Sequence, residues 1–334
     1  MTFVANIPNW RVTLDGLDLT DRLRPRLVSL TLSEKRGDEA DQLDIVIDDH
    51  DGTMALPRAG ATLHVHLGWK QGSAVTPGLI DKGSFVVDEI EHSGPPDIIT
   101  IRARSADFTG AIRTRRDKSW HDTTIGTIVA EVAARHQLTA RCAPALAGIV
   151  VPSAAQSRES DLAWLRRIGR EHDAVATIKR GSLIFAAIGA GVTPTGKPLP
   201  SVTIRRRDGD RHSFRIEKRE ETTGVTASWH DRKGAKKQTV TVGGADAPKR
   251  LGRVYATEAA ARTAASAEKA RAARQPRKLS FDLALGRPDI YPEQRVKAEG
   301  FKAEIDAIAW LVAQVTHSLG DRGLVTSVQL ETVG

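Results

Sequence analysis

The sequence predicts an α+β fold that is mainly β, and three observations support this class. Apolar and polar residues alternate with period two from residue 10 to about residue 105, and again beyond about residue 200. Residues 120–175 instead repeat their apolar side chains with the period of a helix. A segment rich in glycine and proline, residues 189–200, follows this helical part. Together these patterns indicate two β regions with a small α/β domain between them.

The first β region contains many short strands separated by turn signals. Its first two strands flank Asp15-Gly16, a pair suited to the positive φ angles of a tight hairpin turn. The same alternation recurs at residues 28–32, 43–47, 63–67 and 99–103. Strands this numerous and closely spaced predict an antiparallel barrel or sandwich, which we assign to residues 1–115.

The middle of the chain predicts two helices and a hairpin. Thr123 is a suitable N-cap for a helix that ends near residue 136, and a second helix follows Ser160. The next two apolar stretches alternate and predict a hairpin that turns at Arg180-Gly181. We assign these elements to a small α/β domain at residues 116–190.

A linker and a second β region complete the chain. Residues 191–200 are the best linker candidate, and residues 201–334 return to period two. The second region is interrupted by an alanine-rich helix at residues 257–275, which stops before Pro276. This helix has almost no large apolar residue, so we expect it to lie closely against a surface without forming a core of its own.

The composition narrows the class of protein. The chain has 334 residues, of which 40% are hydrophobic and 27% charged, as is usual for a protein of two or three globular domains. Its single cysteine, Cys142, excludes an intrachain disulfide and a cysteine-based zinc site. No segment approaches the roughly 18 apolar residues of a membrane span, so we expect no membrane segment and assembly in the cytoplasm.

The net charge of +8 suggests an acidic partner. Basic residues cluster at residues 113–118, 205–211 and 232–237. None of these runs is interleaved with aromatic residues that stack on single strands, and none lies on a recognition helix. Solvated loops or an electrostatic docking face are therefore favoured, and nucleic-acid binding is kept as an alternative.

Three patterns resemble ligand sites but fit ordinary structure better. Residues 191–198 look like a phosphate-binding loop, yet Pro198 stands where a Ser or Thr must hold Mg²⁺, and no helical pattern follows. His64 and His66 share one face of a predicted strand, but no third metal ligand is evident at suitable spacing. Residues 48–52 lack the ligand spacing of a calcium loop and predict a turn.

Nothing in the sequence assembles a catalytic centre. The chain lacks a G-x-S-x-G motif, and Cys142 has no neighbour in sequence that would favour its thiolate form. Pairs of carboxylates arise by chance among 41 acidic residues. We therefore expect no catalytic, cofactor-binding or metal-binding residue, no cofactor and no enzymatic activity.

The last segment predicts a β-hairpin. Trp310 begins a largely apolar strand, His317 lies near its end, and Gly320 and Gly323 bracket the turn. The imidazole could serve as a catalytic base, but a histidine in this position more often hydrogen-bonds to the backbone of the turn. We therefore expect His317 to be structural.

Several segments resemble one protein family. Residues 300–331 are similar to the C-terminal signature of the phage late control protein D family, carried here by Gly300, Trp310, His317, Gly323 and Thr326. Other matching segments are the opening strands at residues 10–23, the stretch 43–60, the helix at 119–138, and residues 156–185 with their Gln-x-x-Glu-Ser-Asp motif. Members of this family are baseplate hub proteins of contractile tails and are related to the hub part of VgrG proteins.

The resemblance implies two antiparallel β-barrel domains with the small α/β domain between them. It also implies a homotrimer that joins the tail tube, or a tube-adaptor protein, to the central spike and other baseplate proteins. The expected location is the tail baseplate of a virion, with host cytoplasm as the place of assembly. Because the chain stops at residue 334 without the spike extension of VgrG, we expect a separate spike protein. A tail-associated peptidoglycan hydrolase, with a catalytic Glu in a separate domain, and a basic nucleic-acid-binding protein are the alternatives.

Overall fold

The structure is a computed structural model that describes most of the chain. The described residues are 4–37, 40–105, 112, 114–193, 196–217, 223–231, 234–274 and 277–333. Arg113, Arg232 and Lys233 of the basic runs, part of the predicted linker, and Pro276 after the alanine-rich helix lie outside these residues. Among the described residues, no helix is both long and apolar enough to cross a bilayer.

Strands dominate the structure, which confirms the mainly β class. They are β1 (Ile7–Leu14), β2 (Leu17–Asp18), β3 (Leu27–Lys35), β4 (Gln42–Asp48), β5 (Thr62–Gln71), β6 (Gly78–Ser93), β7 (Ile98–Ser105), β8 (Arg115–Thr124), β9 (Thr139–Cys142), β10 (Val150–Ser160), β11 (Ala174–Lys179), β12 (Ser182–Ala187), β13 (Val202–Arg205), β14 (Gly209–Ile216), β15 (Gly224–Asp231), β16 (Lys236–Gly243), β17 (Lys249–Tyr255), β18 (Arg277–Leu283), β19 (Arg295–Glu299), β20 (Ala309–Gly320) and β21 (Gly323–Thr332). The described helices are α1 (Thr20–Leu23), α2 (Ile125–Arg135), α3 (Pro144–Ala147), α4 (Asp161–Glu171), α5 (Glu258–Arg274) and α6 (Ala303–Asp306).

The two β regions share one sheet of thirteen strands. Its order is β14-β18-β21-β20-β3-β4-β7-β6-β5-β1-β2, with β13 and β19 attached beside β20. The two regions meet where β20 pairs antiparallel with β3, from Leu319 opposite Leu30 to Gln314 opposite Lys35. Leu319 and Leu324 of the second region also pack into the hydrophobic core of the first.

The prediction of two separate closed barrels is not confirmed by this arrangement. Pairings among the described residues follow an open path with β14 and β2 at its ends. The physical reason is that an edge strand exposes unpaired backbone N–H and C=O groups. Strands β3 and β20 pair these groups with each other across the two regions. The alternation along each strand predicted the strands themselves, but it carries no information about which strands become neighbours.

The middle of the chain forms the predicted helices and hairpin. Helix α2 begins one residue later than predicted because β8 continues through Thr124, whose hydroxyl accepts a hydrogen bond from the Thr127 amide at 3.2 Å. Ser160 caps α4, and β11 and β12 turn at Arg180-Gly181, as predicted. Strand β8 pairs with β10, and both helices pack into one core with these strands.

The alanine-rich helix α5 packs on a separate three-stranded sheet, β16-β15-β17. Its buried alanines contact the apolar side chains of that sheet, which include Val225, Val240 and Tyr255. Small side chains allow the helix to approach the sheet closely, as the sequence predicted. Helix α5 contributes only alanines to this core, so the larger apolar side chains of the sheet are needed to complete it.

Candidate functional site

The C-terminal hairpin places its signature residues in the interior. Trp310 and His317 on β20 are both buried, and the indole Nε1 of Trp310 donates to the carbonyl of Ile305 at 3.0 Å. His317 Nδ1 lies 2.8 Å from the hydroxyl of Thr326, its partner on β21. The predicted hydrogen bond to the turn backbone is therefore wrong, since the imidazole is bound by a side chain across the ladder. Its full burial leaves no path for a substrate.

Beside His317 lies a buried ion pair that the sequence analysis missed. Lys82 of β6 and Glu34 of β3 approach to 2.5 Å, and their side chains are only 3% and 11% exposed. His317 Nε2 lies 3.3 Å from the same Glu34 oxygen, without the alignment of a hydrogen bond. The ammonium of Lys82 also donates to the carbonyl of Pro288 at 3.1 Å. We call Glu34, Lys82 and His317 the Glu34 cluster.

The Glu34 cluster holds one anion and one cation around a neutral imidazole. Burial alone would raise the pKa of Glu34, but the adjacent charge of Lys82 outweighs this effect and the pKa is lowered to about 2. Burial and the Lys82 charge lower the pKa of His317, so its imidazole is neutral at pH 7. The cluster therefore connects β3 and β6 of the first region to β20 of the second through charges that have almost no contact with water.

A second set of ion pairs connects three parts of the chain. Arg36, next to β3, pairs with Glu293 and with Glu331 of β21, the latter at 2.5 Å. Arg274 at the end of α5 lies 3.6 Å from Glu331 and donates to Asp173, which follows α4, at 2.7 Å. This Arg36 cluster thus joins the shared sheet to the alanine-rich helix and to the α/β part.

The Gln-x-x-Glu-Ser-Asp motif forms a third buried network. Asp161, at the start of α4, is fully buried and accepts hydrogen bonds from Gln156 at 2.9 Å and from Arg135 at 2.9 and 3.0 Å. His136 Nε2 lies 2.7 Å from the same carboxylate. Burial would raise the pKa of Asp161, but these partners lower it.

The remaining members of the motif fix the beginning of α4. The hydroxyl of Ser160 accepts a hydrogen bond from the Ala163 amide at 3.2 Å. The carboxylate of Glu159 accepts hydrogen bonds from two guanidinium nitrogens of Arg167, at 2.6 and 3.0 Å. A serine cap and a bidentate arginine pair both stabilise a helix start. These contacts give the motif a role in the folding of the α/β part.

Two of the three cations that the structure describes in the first basic run, Arg116 and Lys118, have partners within the chain. Arg116 lies 3.4 Å from Asp161, and Lys118 pairs with Glu131 and lies 3.9 Å from the ring centre of Trp120. In the second run, Arg205 lies 3.3 Å from Glu299. The pairing of Arg116 and Lys118 weakens the interpretation of the first run as a free docking face.

Other candidates from the sequence occupy ordinary structural positions. Burial raises the pKa of Cys142 to about 11, so its thiol stays protonated at neutral pH. In the glycine- and proline-rich segment, the amide of Gly189 donates to Glu293 and its carbonyl accepts from Arg295. Residues 48–52 form the predicted turn, closed by a hydrogen bond from the Gly52 amide to the Asp49 carbonyl.

His64 and His66 share one face of β5, as predicted, and the structure places beside them a carboxylate that was not evident from the sequence spacing. Asp81 of the neighbouring strand β6 lies beside them, with one carboxylate oxygen 3.0 Å from His64 Nε2. Sequence spacing could not reveal this residue, because strand pairing rather than chain distance brings it to the two histidines.

Comparison with known proteins shows which family the chain belongs to. The model of the family described as phage tail baseplate hub matches residues 42–323. The chain belongs to the phage tail baseplate hub family. It is 44% identical to a probable baseplate hub protein of Escherichia phage 186, over 97% of this chain and 92% of that protein. The resemblance noted from the sequence is thereby confirmed, and the place of this hub protein is the tail baseplate of a phage virion.

Solved structures show that the hub fold extends to distant proteins. A tail protein from Neisseria meningitidis MC58 is 12% identical, with a TM-score of 0.69 over 97% of this chain and 96% of that one. A component of the type VI secretion system of E. coli, 15% identical, has a TM-score of 0.55 over 92% of this chain and 74% of its own. At these identities the likeness concerns the fold alone.

Proposed function

We propose that this hub protein assembles as a trimeric ring that joins the tail tube to the central spike. In this proposal residues 1–115 and 201–334 are the two hub domains, and residues 116–190 are the α/β domain between them. Three chains would present six similar β regions to a sixfold tube, and threefold symmetry to the spike. Family membership supports the hub role, and the presence of two β regions in one chain supports the change of symmetry.

The observation that carries this proposal is the strand pairing that connects the two β regions. The β3–β20 ladder makes them parts of one sheet, and at the Lys35 end of this ladder the Glu34 cluster adds a buried ion pair and the Arg36 cluster adds partly buried ones. An adaptor must hold two partners in a fixed orientation, so its two β regions must not rotate against each other. A continuous ladder with buried ion pairs supplies that rigidity.

The proposal assigns a mechanical function to the chain and no enzymatic activity. His317, the residue best placed in sequence to act as a base, is fully buried and lies between Thr326 and Glu34. The partners in this proposal are the tail tube or a tube-adaptor protein, the spike and other baseplate proteins. Assembly with them is placed in the host cytoplasm.

The proposal is tested by the absolute mass of the purified chain, measured by light scattering with and without its candidate spike protein. We expect a species of three times the 36.2 kDa chain mass, either alone or once the spike is added. A monomer under both conditions, with a far-ultraviolet circular dichroism spectrum typical of a β-rich fold, would contradict the trimer.

A further inference from the structure

The outward face of the first β region carries a group of side chains that the hub function does not use. His64 and His66 alternate on β5 with the buried Val65, so both imidazoles project from the same side of the sheet. Their ring centres are 4.9 Å apart. Asp81, on the adjacent strand β6, is the ladder partner of His66.

A β-bulge brings Asp81 to the histidines. The register of β5 and β6 shifts between Val65 and His66, where Val65 pairs with Gly83 and His66 with Asp81. The φ of +95° at Gly83 belongs to the region that favours glycine, and the Gly83 amide donates to Asp81 Oδ1 at 2.8 Å. The bulge thus fixes the carboxylate beside the histidine face.

We propose that His64, His66 and Asp81 bind a divalent transition-metal ion of the zinc class. One ligand atom from each residue lies within 4.8 Å of the others. Small side-chain rotations can bring all three to the bond lengths of roughly 2.0–2.2 Å that Zn²⁺ makes with His nitrogen and carboxylate oxygen. Two imidazoles and one carboxylate favour Zn²⁺, Ni²⁺ or Co²⁺ over Mg²⁺ and Ca²⁺, which prefer oxygen ligands.

The surroundings of the three ligands fit a metal site. His64 Nδ1 lies 2.8 Å from the hydroxyl of Ser84, a contact that orients the ring and leaves Nε2 facing Asp81. His66 Nδ1 is buried and has no hydrogen-bond partner within the described ranges of the chain.

Two arginines, Arg11 and Arg180, contact the residues of the proposed metal site. Arg11 Nη2 lies 3.1 Å from His66 Nε2, so a metal bound through that nitrogen must displace the guanidinium. Arg180, in the turn between β11 and β12, donates to the backbone carbonyl of Asp81 at 2.8 Å. The site therefore lies where the α/β part contacts the first β region, and a bound ion would cross-link β5 to β6 at that contact.

The test uses the full-length chain, stripped with a chelator, dialysed and titrated with Zn²⁺ by calorimetry. We expect one Zn²⁺ per chain, a higher Tm with Zn²⁺ than in chelator, and no displacement by a large excess of Mg²⁺. His66→Gln and Asp81→Asn lie on different strands, and each should abolish this binding while the circular dichroism spectrum is unchanged. His50→Gln is the matched control, because His50 lies 2.9 Å from Asp48 in an exposed turn away from the site.

Co²⁺ gives a second readout that does not depend on the variants. Tetrahedral Co²⁺ bound by nitrogen and oxygen has intense visible absorption bands, whereas hydrated Co²⁺ absorbs weakly, so the unaltered chain should become strongly coloured on titration. The proposal is overturned if the wild-type chain takes up no Zn²⁺ at micromolar concentration. It is equally overturned if folded His66→Gln and Asp81→Asn bind Zn²⁺ with the wild-type stoichiometry.

Discussion

Replacing Lys82 with Met removes one partner of the buried Glu34 ion pair, which joins β3 to β6 beside His317 of β20, and tests how much this pair stabilises the fold. At a separation of 2.5 Å, Coulomb attraction in an effective dielectric constant of about 20 is roughly 6–7 kcal/mol, part of which offsets the loss of hydration. Breaking such a pair leaves a buried, unpaired carboxylate, so we expect a loss of about 3–5 kcal/mol in the free energy of unfolding. Urea unfolding followed by circular dichroism measures it.

An exposed pair of the same kind provides the control. Lys297 and Glu299 are 3.0 Å apart, with side chains 70% and 37% exposed, so Lys297→Met should change stability by about 0–1 kcal/mol. Adding Glu34→Gln to Lys82→Met removes the uncompensated charge and should recover part of the loss. The reasoning is refuted if Lys82→Met destabilises the protein no more than Lys297→Met does.

Three further predictions concern acid, the α4 motif and the thiol. Below pH 6.5, His317 is protonated in the unfolded chain but not in the folded one, so the free energy of unfolding should fall as the pH drops through this range. It should fall further between about pH 4.5 and 2, where Glu34 is protonated. Urea unfolding at a series of pH values measures this, and constant stability from pH 7 to 3 would contradict it. Asp161→Asn removes the buried anion beside Arg116 and Arg135 and should lower the free energy of unfolding by about 3 kcal/mol. The same change at Asp21, whose side chain is fully exposed, should have little effect. Cys142 should react slowly with a thiol reagent at pH 8 because of its raised pKa, and rapidly once urea unfolds the chain; equal rates in both states would be inconsistent with the structure.

Local elements of this fold could be predicted from the sequence because their signals are local. Period-two alternation and two closely spaced glycines predict the β20–β21 hairpin, and Ser160 predicts the start of α4. The burial of Glu34 also follows from a local signal. Leu30, Leu32 and Glu34 lie at alternate positions of β3, so the glutamate shares the buried face of the two leucines. A buried glutamate requires a partner, although the sequence does not say which one.

The rest of the site depends on pairings between distant segments. The partner of Glu34 comes from β6, and the ladder that joins the two β regions pairs β3 with β20. Asp81 reaches the histidines only because a bulge shifts the register of β5 and β6 by one residue. Neither strand neighbours nor bulges are set by periodicity, so the open shared sheet and the position of Asp81 beside the two histidines could not be predicted.

The most direct test of the central claim is the symmetry of the purified hub, imaged by electron microscopy alone and bound to its spike. We expect a closed ring of three chains in which six β regions surround one axis, with the α/β parts at a different radius. A ring with another number of chains, or a threefold ring whose two β regions are separated and do not share the β3–β20 ladder, would contradict it.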